Sequence, residues 1–283
     1  MTLAEQLAAF PLLHAQTPLG RIAYRCSKTG SGSGSAGNSP NRQRLVLLHG
    51  IGSASASWLR QLQDLSKHYG VLAWNAPGYT ESSVLPMAVP TAADYAARMW
   101  AWLDALGIDR IALAGHSLGA LMAGAATRIA PKRVERLCLF APAGGYGKAD
   151  AAVRETKLRE RLTTLATLGP RGMAEKRGAA LLSRTAPPEE IGFIQSVMAE
   201  IDPAGYTQAV HMLMNGDLAA DLAQVQCPVT VASGSADTIT SPAACQAIAA
   251  AARTPWIDLG PVGHACPLEA AAAVNRLLTG AGT

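Results

Sequence analysis

The stretch Ala114–Ala120, AGHSLGA, sets Ser117 between Gly115 and Gly119. The apolar RIALA precedes it and the helix-like LMAGAATRIA follows. A serine on a tight strand-to-helix turn stands out at the end of its strand, where it can act as a nucleophile in acyl transfer. A hydroxyl alone attacks poorly. The chemistry also needs a base, an acid to orient that base, and N–H donors for an oxyanion.

The base must be one of six histidines: His14, His49, His68, His116, His211 and His264. His264 stands in LGPVGHACP, a loop after the strand-like PWIDLG. His211 lies inside the helical TQAVHMLM, where a packed or surface role is expected. His116 adjoins Ser117 and is expected to point away from it. His68 is expected to be solvated near a helix end, and His49 to brace its loop. For the acid, PVTVASGSADTITSP supplies Asp237 just after an apolar strand and before a helix. Its carboxylate would hold the imidazole in the right tautomer and stabilise the imidazolium. Asp258, inside WIDL, is the rival. The oxyanion donors are expected from the backbone of Leu118, after the serine, and of Ile51 in HGIGSAS.

These residues need a sheet to hold them. RLVLLHG, VLAWNAPG, RIALAG, VERLCLFAP, PVTVASG and PWIDLG read as short buried strands, and GRIAYRC at residues 20–26 as the first. SWLRQLQDLSKHYG, TAADYAARMWAWLDALG, the stretch from Ser117 to about Ala130, SPAACQAIAAAAR and PLEAAAAVNRLL read as helices between and after them. Thr91 is the expected N-cap of the second and Gly107 its end. Apolar strands alternating with helices predict an α/β fold with a mostly parallel sheet covered on both faces. The rhythm breaks over residues 143–222, where helical signals run between Gly and Pro breaks. The expected organisation is a core of residues 1–142 and 223–283 with a helical cap, 143–222, inserted over the site. Cap residues Leu165, Leu168, Phe193, Met198, Met212 and Met214 would line a pocket or pack the cap. Arg154, Arg161, Arg177 and Arg184 are its candidates for meeting an acidic substrate.

With 283 residues, 49% hydrophobic and 16% charged, the chain has the composition of a globular protein able to bury a large core. The formal charge of +4 is scattered, with no basic run interleaved with aromatics, so no nucleic-acid partner is expected. No window offers a membrane span. Five cysteines in no ligand spacing predict neither disulfides nor a metal site. The N-terminal stretch has no basic region and no continuous apolar run, so no secretory signal is expected and the cytoplasm is the expected location. The G-x-G-x-x-G at Gly32, Gly34 and Gly37 lies in a Ser/Gly-rich stretch followed by a strand, and reads as a linker.

Together LLHGIGSAS, WNAPGYTES, AGHSLGA, GSADTITSP and GHACP resemble the α/β-hydrolase superfamily over roughly residues 20–280. The approach to the acid strand, GYTQAVHMLMNGDLAADLAQVQCPV, is similar to enol-lactone hydrolases and meta-cleavage-product hydrolases. The chain departs from many relatives at Asn75 (Asp there), Thr80 (Gly there) and Leu118 (Met in many carbon–carbon hydrolases). Cys266 stands near His264, where carbon–carbon hydrolases carry a tryptophan. The resemblance implies the order Ser117, Asp237, His264, and hence acyl transfer on a small-molecule ester or enol-lactone without cofactor or metal. Carbon–carbon hydrolysis ranks below it. A ligand receptor on the same scaffold is the reading from another class.

Overall fold

The computed structural model describes residues 1–27 and 42–280, so the Gly32–Gly37 pattern lies outside the described residues. Among the described residues eight strands form one sheet: β1 (Leu13–Thr17), β2 (Gly20–Cys26), β3 (Arg44–Leu48), β4 (Gly70–Trp74), β5 (Ile111–His116), β6 (Val134–Phe140), β7 (Val229–Ser233) and β8 (Trp256–Asp258). Their spatial order is β1-β2-β4-β3-β5-β6-β7-β8. The β1–β2 and β2–β4 pairs are antiparallel and all later pairs are parallel.

The central strands carry apolar runs, LVLL in β3, VLAW in β4, IALA in β5 and LCLF in β6, because both sheet faces are covered. Side chains alternate between two cores. Val46, Leu48, Ile111 and Leu113 enter one. Leu45, Leu47, Ala112 and Ala114 enter the other. The first face is covered by α3 (Ala92–Ala105) and α4 (Gly119–Ile129). The second is covered by α1 (Leu3–Leu7), α2 (Leu59–Leu65), α10 (Cys266–Glu269) and α11 (Ala271–Thr279). Thr91 caps α3 in a reciprocal capping box with Asp94. The α2 helix is shorter than its periodicity predicts: Ser55–Trp58 forms a 3-10 turn ahead of it, and the helix ends at Leu65, where a turn leads into β4.

Between β6 and β7 the chain makes α5 (Ala151–Arg177), α6 (Pro188–Ala199), α7 (Pro203–Asn215) and α8 (Leu218–Leu222); α9 (Pro242–Ala251) follows β7. The α5 helix is bent where Gly169 takes φ 62° and Pro170 follows. Proline cannot supply the helical N–H, and glycine tolerates the left-handed turn. Among the described residues no helix is long and apolar enough to cross a membrane.

One strand is absent from the sequence reading. The first strand is β1, Leu13–Thr17, not the Gly20–Cys26 segment, which is β2. Thr80 takes φ 42°, a backbone that glycine would adopt more readily.

Candidate active site

Parallel topology brings the loops after β3, β5, β7 and β8 to one edge of the sheet, the carboxyl ends of the strands, where ligands bind in such sheets. Ser117 is the residue after β5 and takes φ 52°. The strained backbone persists because both neighbours allow it. A side chain at Gly115 would meet the backbone of Gly119 and Ala120, and one at Gly119 would meet the Leu48 and His49 carbonyls. Strand, turn and helix therefore close on each other with no room for a Cβ.

Asp237 and His264 meet. His264 Nδ1 lies 2.8 Å from Asp237 Oδ2. Asp237 Oδ1 accepts from the backbone N–H of Ile239 at 2.7 Å and of Thr240 at 3.0 Å. The Thr240 hydroxyl lies 2.9 Å from Oδ2 and 3.0 Å from the Ala141 carbonyl. Burial pushes the Asp237 carboxyl up, but His264, the Ile239 N–H and the Thr240 hydroxyl together outweigh it and hold the group below its usual range. Asp258 does not take this place: its Oδ1 accepts from Gly260 N–H at 2.9 Å.

Ser117 and His264 both line a cavity of about 420 Å³, as do Ile51 and Leu118. Ser117 Oγ and His264 Nε2 make no hydrogen bond among the described residues, nor do the backbone N–H groups of Ile51 and Leu118. All four polar groups are thus free for a ligand. Among the described residues no group of three or more His, Cys, Asp or Glu is placed to hold a metal ion.

His49 ties the loop down. Its Nε2 accepts from Ala76 N–H at 3.0 Å, and its Nδ1 lies 2.8 Å from the Gly50 carbonyl. Asn75 Oδ1 accepts from Ser55 N–H at 2.7 Å, holding the other end. His116 makes its contacts with His264 rather than with Ser117. The residue lines the cavity, its ring lies 4.9 Å from the His264 ring at a tilt of 47°, and its Nε2 lies 2.8 Å from the His264 carbonyl. It thereby fixes the backbone that carries His264. His68 is exposed and His211 half-buried.

The far wall comes from α5, α6 and α7. Of the six apolar positions named from the sequence, Met198 lines the cavity. Leu165, Phe193, Met212 and Met214 are buried and Leu168 is exposed. Met173, Ile194, Val197 and Leu213 also line it. Of the four arginines, Arg161 and Arg177 are on the wall and Arg154 and Arg184 are not.

The buried histidines make acid a threat to the fold. Burial lowers His49 to about 4; burial, with His264 adding, lowers His116 to about 3. In the unfolded chain both titrate near 6.5. Between pH 6.5 and 4 the unfolded state therefore binds more protons, and stability falls as pH falls, by up to about 1.4 kcal/mol per pH unit for each group. Denaturant unfolding at pH 7 and pH 4.5 is expected to show a loss of a few kcal/mol. Equal stability at the two values would mean that these imidazoles do not stay neutral in the fold.

Residues 45–277 match the model of the Alpha/beta hydrolase family. The (E)-2-((N-methylformamido)methylene)succinate hydrolase of Acinetobacter baylyi is 28% identical over 204 residues, 68% of this chain and 72% of that protein. The solved enol-lactonase from Burkholderia xenovorans LB400 superposes with a TM-score of 0.80 at 23% identity, covering 95% of this chain and 98% of that one. A thermophilic esterase from Thermogutta terrifontis, solved with malate bound, gives 0.79 at 23% identity, covering 95% and 97%.

Proposed function

Because the chain belongs to the alpha/beta hydrolase family, we propose that it is a serine hydrolase that cleaves a small-molecule carboxylic ester or enol-lactone through an acyl-enzyme. The observation that carries this reading is the left-handed Ser117 on the wall of the cavity that also receives His264, with Asp237 behind it. The substrate carbonyl sits between Ser117 and the N–H groups of Ile51 and Leu118. His264 Nε2 takes the Ser117 proton as Oγ bonds to the carbonyl carbon. The two N–H groups hold the oxyanion. The carbon–oxygen bond to the leaving group then breaks, and His264 returns the proton to that oxygen. Water, deprotonated by His264, next attacks the acyl carbon; Ser117 leaves with its proton restored and the acid is released.

Residues 143–222 act as the cap in this reading, and α5–α7 decide which acyl group fits. The closing of the pocket by apolar side chains favours a small organic substrate over a polymer. The five free cysteines suit a reducing, cytoplasmic setting.

The test is a panel of p-nitrophenyl butyrate, a saturated lactone, an enol-lactone and a ring-cleavage dienoate, assayed under one set of conditions. Ester or enol-lactone turnover is expected to exceed dienoate cleavage by at least tenfold. Dienoate cleavage as the faster reaction would replace this reading with carbon–carbon hydrolysis. Binding without turnover across the panel would replace it with a ligand receptor.

A further inference from the structure

The cavity wall carries an unbalanced charge. Arg161 and Arg177 line it, and among the described residues no aspartate or glutamate does. Both arginines are half-buried. Neither guanidinium makes a hydrogen bond or ion pair among the described residues. Of the other cations of α5, Arg159 pairs with Glu155 at 3.0 Å and Lys157 with Glu160 at 2.9 Å, on the outer surface, whereas Arg154, Arg171 and Lys176 do not line the cavity. Two unpaired guanidinium groups facing one small cavity repel each other and lose part of their hydration. An anionic ligand relieves both effects.

The two arginines reach the same cavity because α5 is bent. They lie sixteen residues apart. Along a straight helix that separation is about 24 Å. The break at Gly169 and Pro170 falls midway, so the second arm does not continue the axis of the first. Arg161 thus comes from one arm and Arg177 from the other.

Resting on the serine-hydrolase reading of the same cavity, we propose that its substrate is a dianion: an ester or lactone whose acyl or leaving portion carries two carboxylates, one received by each arm of the bent helix. The guanidinium fork accepts a carboxylate through two parallel N–H donors, so each arginine orients its group as well as neutralising it. The apolar side chains Met173, Val197 and Met198 then enclose the carbon chain between the charged ends and Ser117.

The experiment is calorimetry on the Ser117→Ala protein, with the series succinate, glutarate and adipate and with their monomethyl and dimethyl esters. At least one dicarboxylate is expected to bind about tenfold more tightly than its monoester, and the monoester more tightly than the diester. Arg161→Ala and Arg177→Ala, made in the same background, are each expected to weaken that dicarboxylate by about tenfold to a hundredfold. They should leave the neutral diester within threefold, which a merely structural role would not predict. Arg→Lys at either position should recover part of the affinity, because the charge returns without the fork. No dicarboxylate binding, equal affinity for the dianion and its diester, or a dianion affinity unmoved by both alanine variants would overturn the proposal. Its failure is separable from failure of the hydrolase reading. If glutarate binding is indifferent to both arginines while Ser117 is still needed for hydrolysis of dimethyl glutarate, anion recognition alone is wrong. If binding depends on the arginines while Ser117→Ala keeps full turnover, only the nucleophile is wrong.

Discussion

Ser117→Ala is expected to lower kcat by about 10⁶-fold and to leave the fold in place, the loss seen when serine-hydrolase nucleophiles are removed. Alanine carries the same Cβ into the same left-handed backbone, so the strain at φ 52° is unchanged. The variant loses only Oγ, which faces the cavity and holds no neighbour. On the proposed mechanism the N–H donors at Ile51 and Leu118 and the binding cavity remain, and a small rate above that in water is expected. The measurement is steady-state turnover on the best substrate of the panel, with circular dichroism and melting to show the fold. Turnover within tenfold of wild type in a folded variant would remove Ser117 from the mechanism.

Asp237→Asn is the second large effect, a loss of about 10⁴-fold. The hydrogen bonds around the carboxylate dictate how the amide must sit. Oδ1 faces two backbone donors, Ile239 N–H and Thr240 N–H, so the amide oxygen is held there. The NH₂ then occupies the Oδ2 position, 2.8 Å from His264 Nδ1 in the native protein. A donor facing Nδ1 makes that nitrogen the acceptor and leaves the proton on Nε2, the atom that takes the serine proton in the proposed mechanism. Thr240 can accept from the amide while donating to the Ala141 carbonyl, so every bond is remade and the fold survives. Asp258→Asn is the control and should change kcat less than threefold, since its carboxylate only closes a turn onto Gly260. A large loss at Asp258 with none at Asp237 would reassign the acid.

The fold is legible where the sheet is buried on both faces. There the strands carry apolar runs, as in LVLL and IALA, and the helices between carry caps and glycine stops. It is not legible at β1, where LHAQT is short and alternates exposed with buried residues at the sheet edge. No run of apolar residues marks it, and its register comes from β2. The candidate site divides in the same way. Ser117, Asp237 and His264 each stand in the turn or loop that follows a strand, and local sequence suffices to propose them. The orientation of His116 depends on where the His264 backbone lies, 148 positions further along, and no local pattern carries that. The wall of the cavity is harder still. Helical period shows that Met173, Ile194 and Leu213 have an apolar neighbour, but not that the neighbour is empty space. That Arg161 and Arg177 share one cavity follows from the bend at Gly169, whose angle the sequence does not state.

The claim on which the rest depends is that Ser117 becomes acylated. Incubation of the protein with a p-nitrophenyl ester, acid quenching within milliseconds and mass spectrometry of the digested chain measure this directly. The account predicts a single acyl adduct on the peptide containing Ser117, forming with a burst of p-nitrophenol and decaying at the turnover rate. Hydrolysis at the normal rate with an adduct on another residue, or with none trapped at any quench time while chemistry limits the rate, would contradict it.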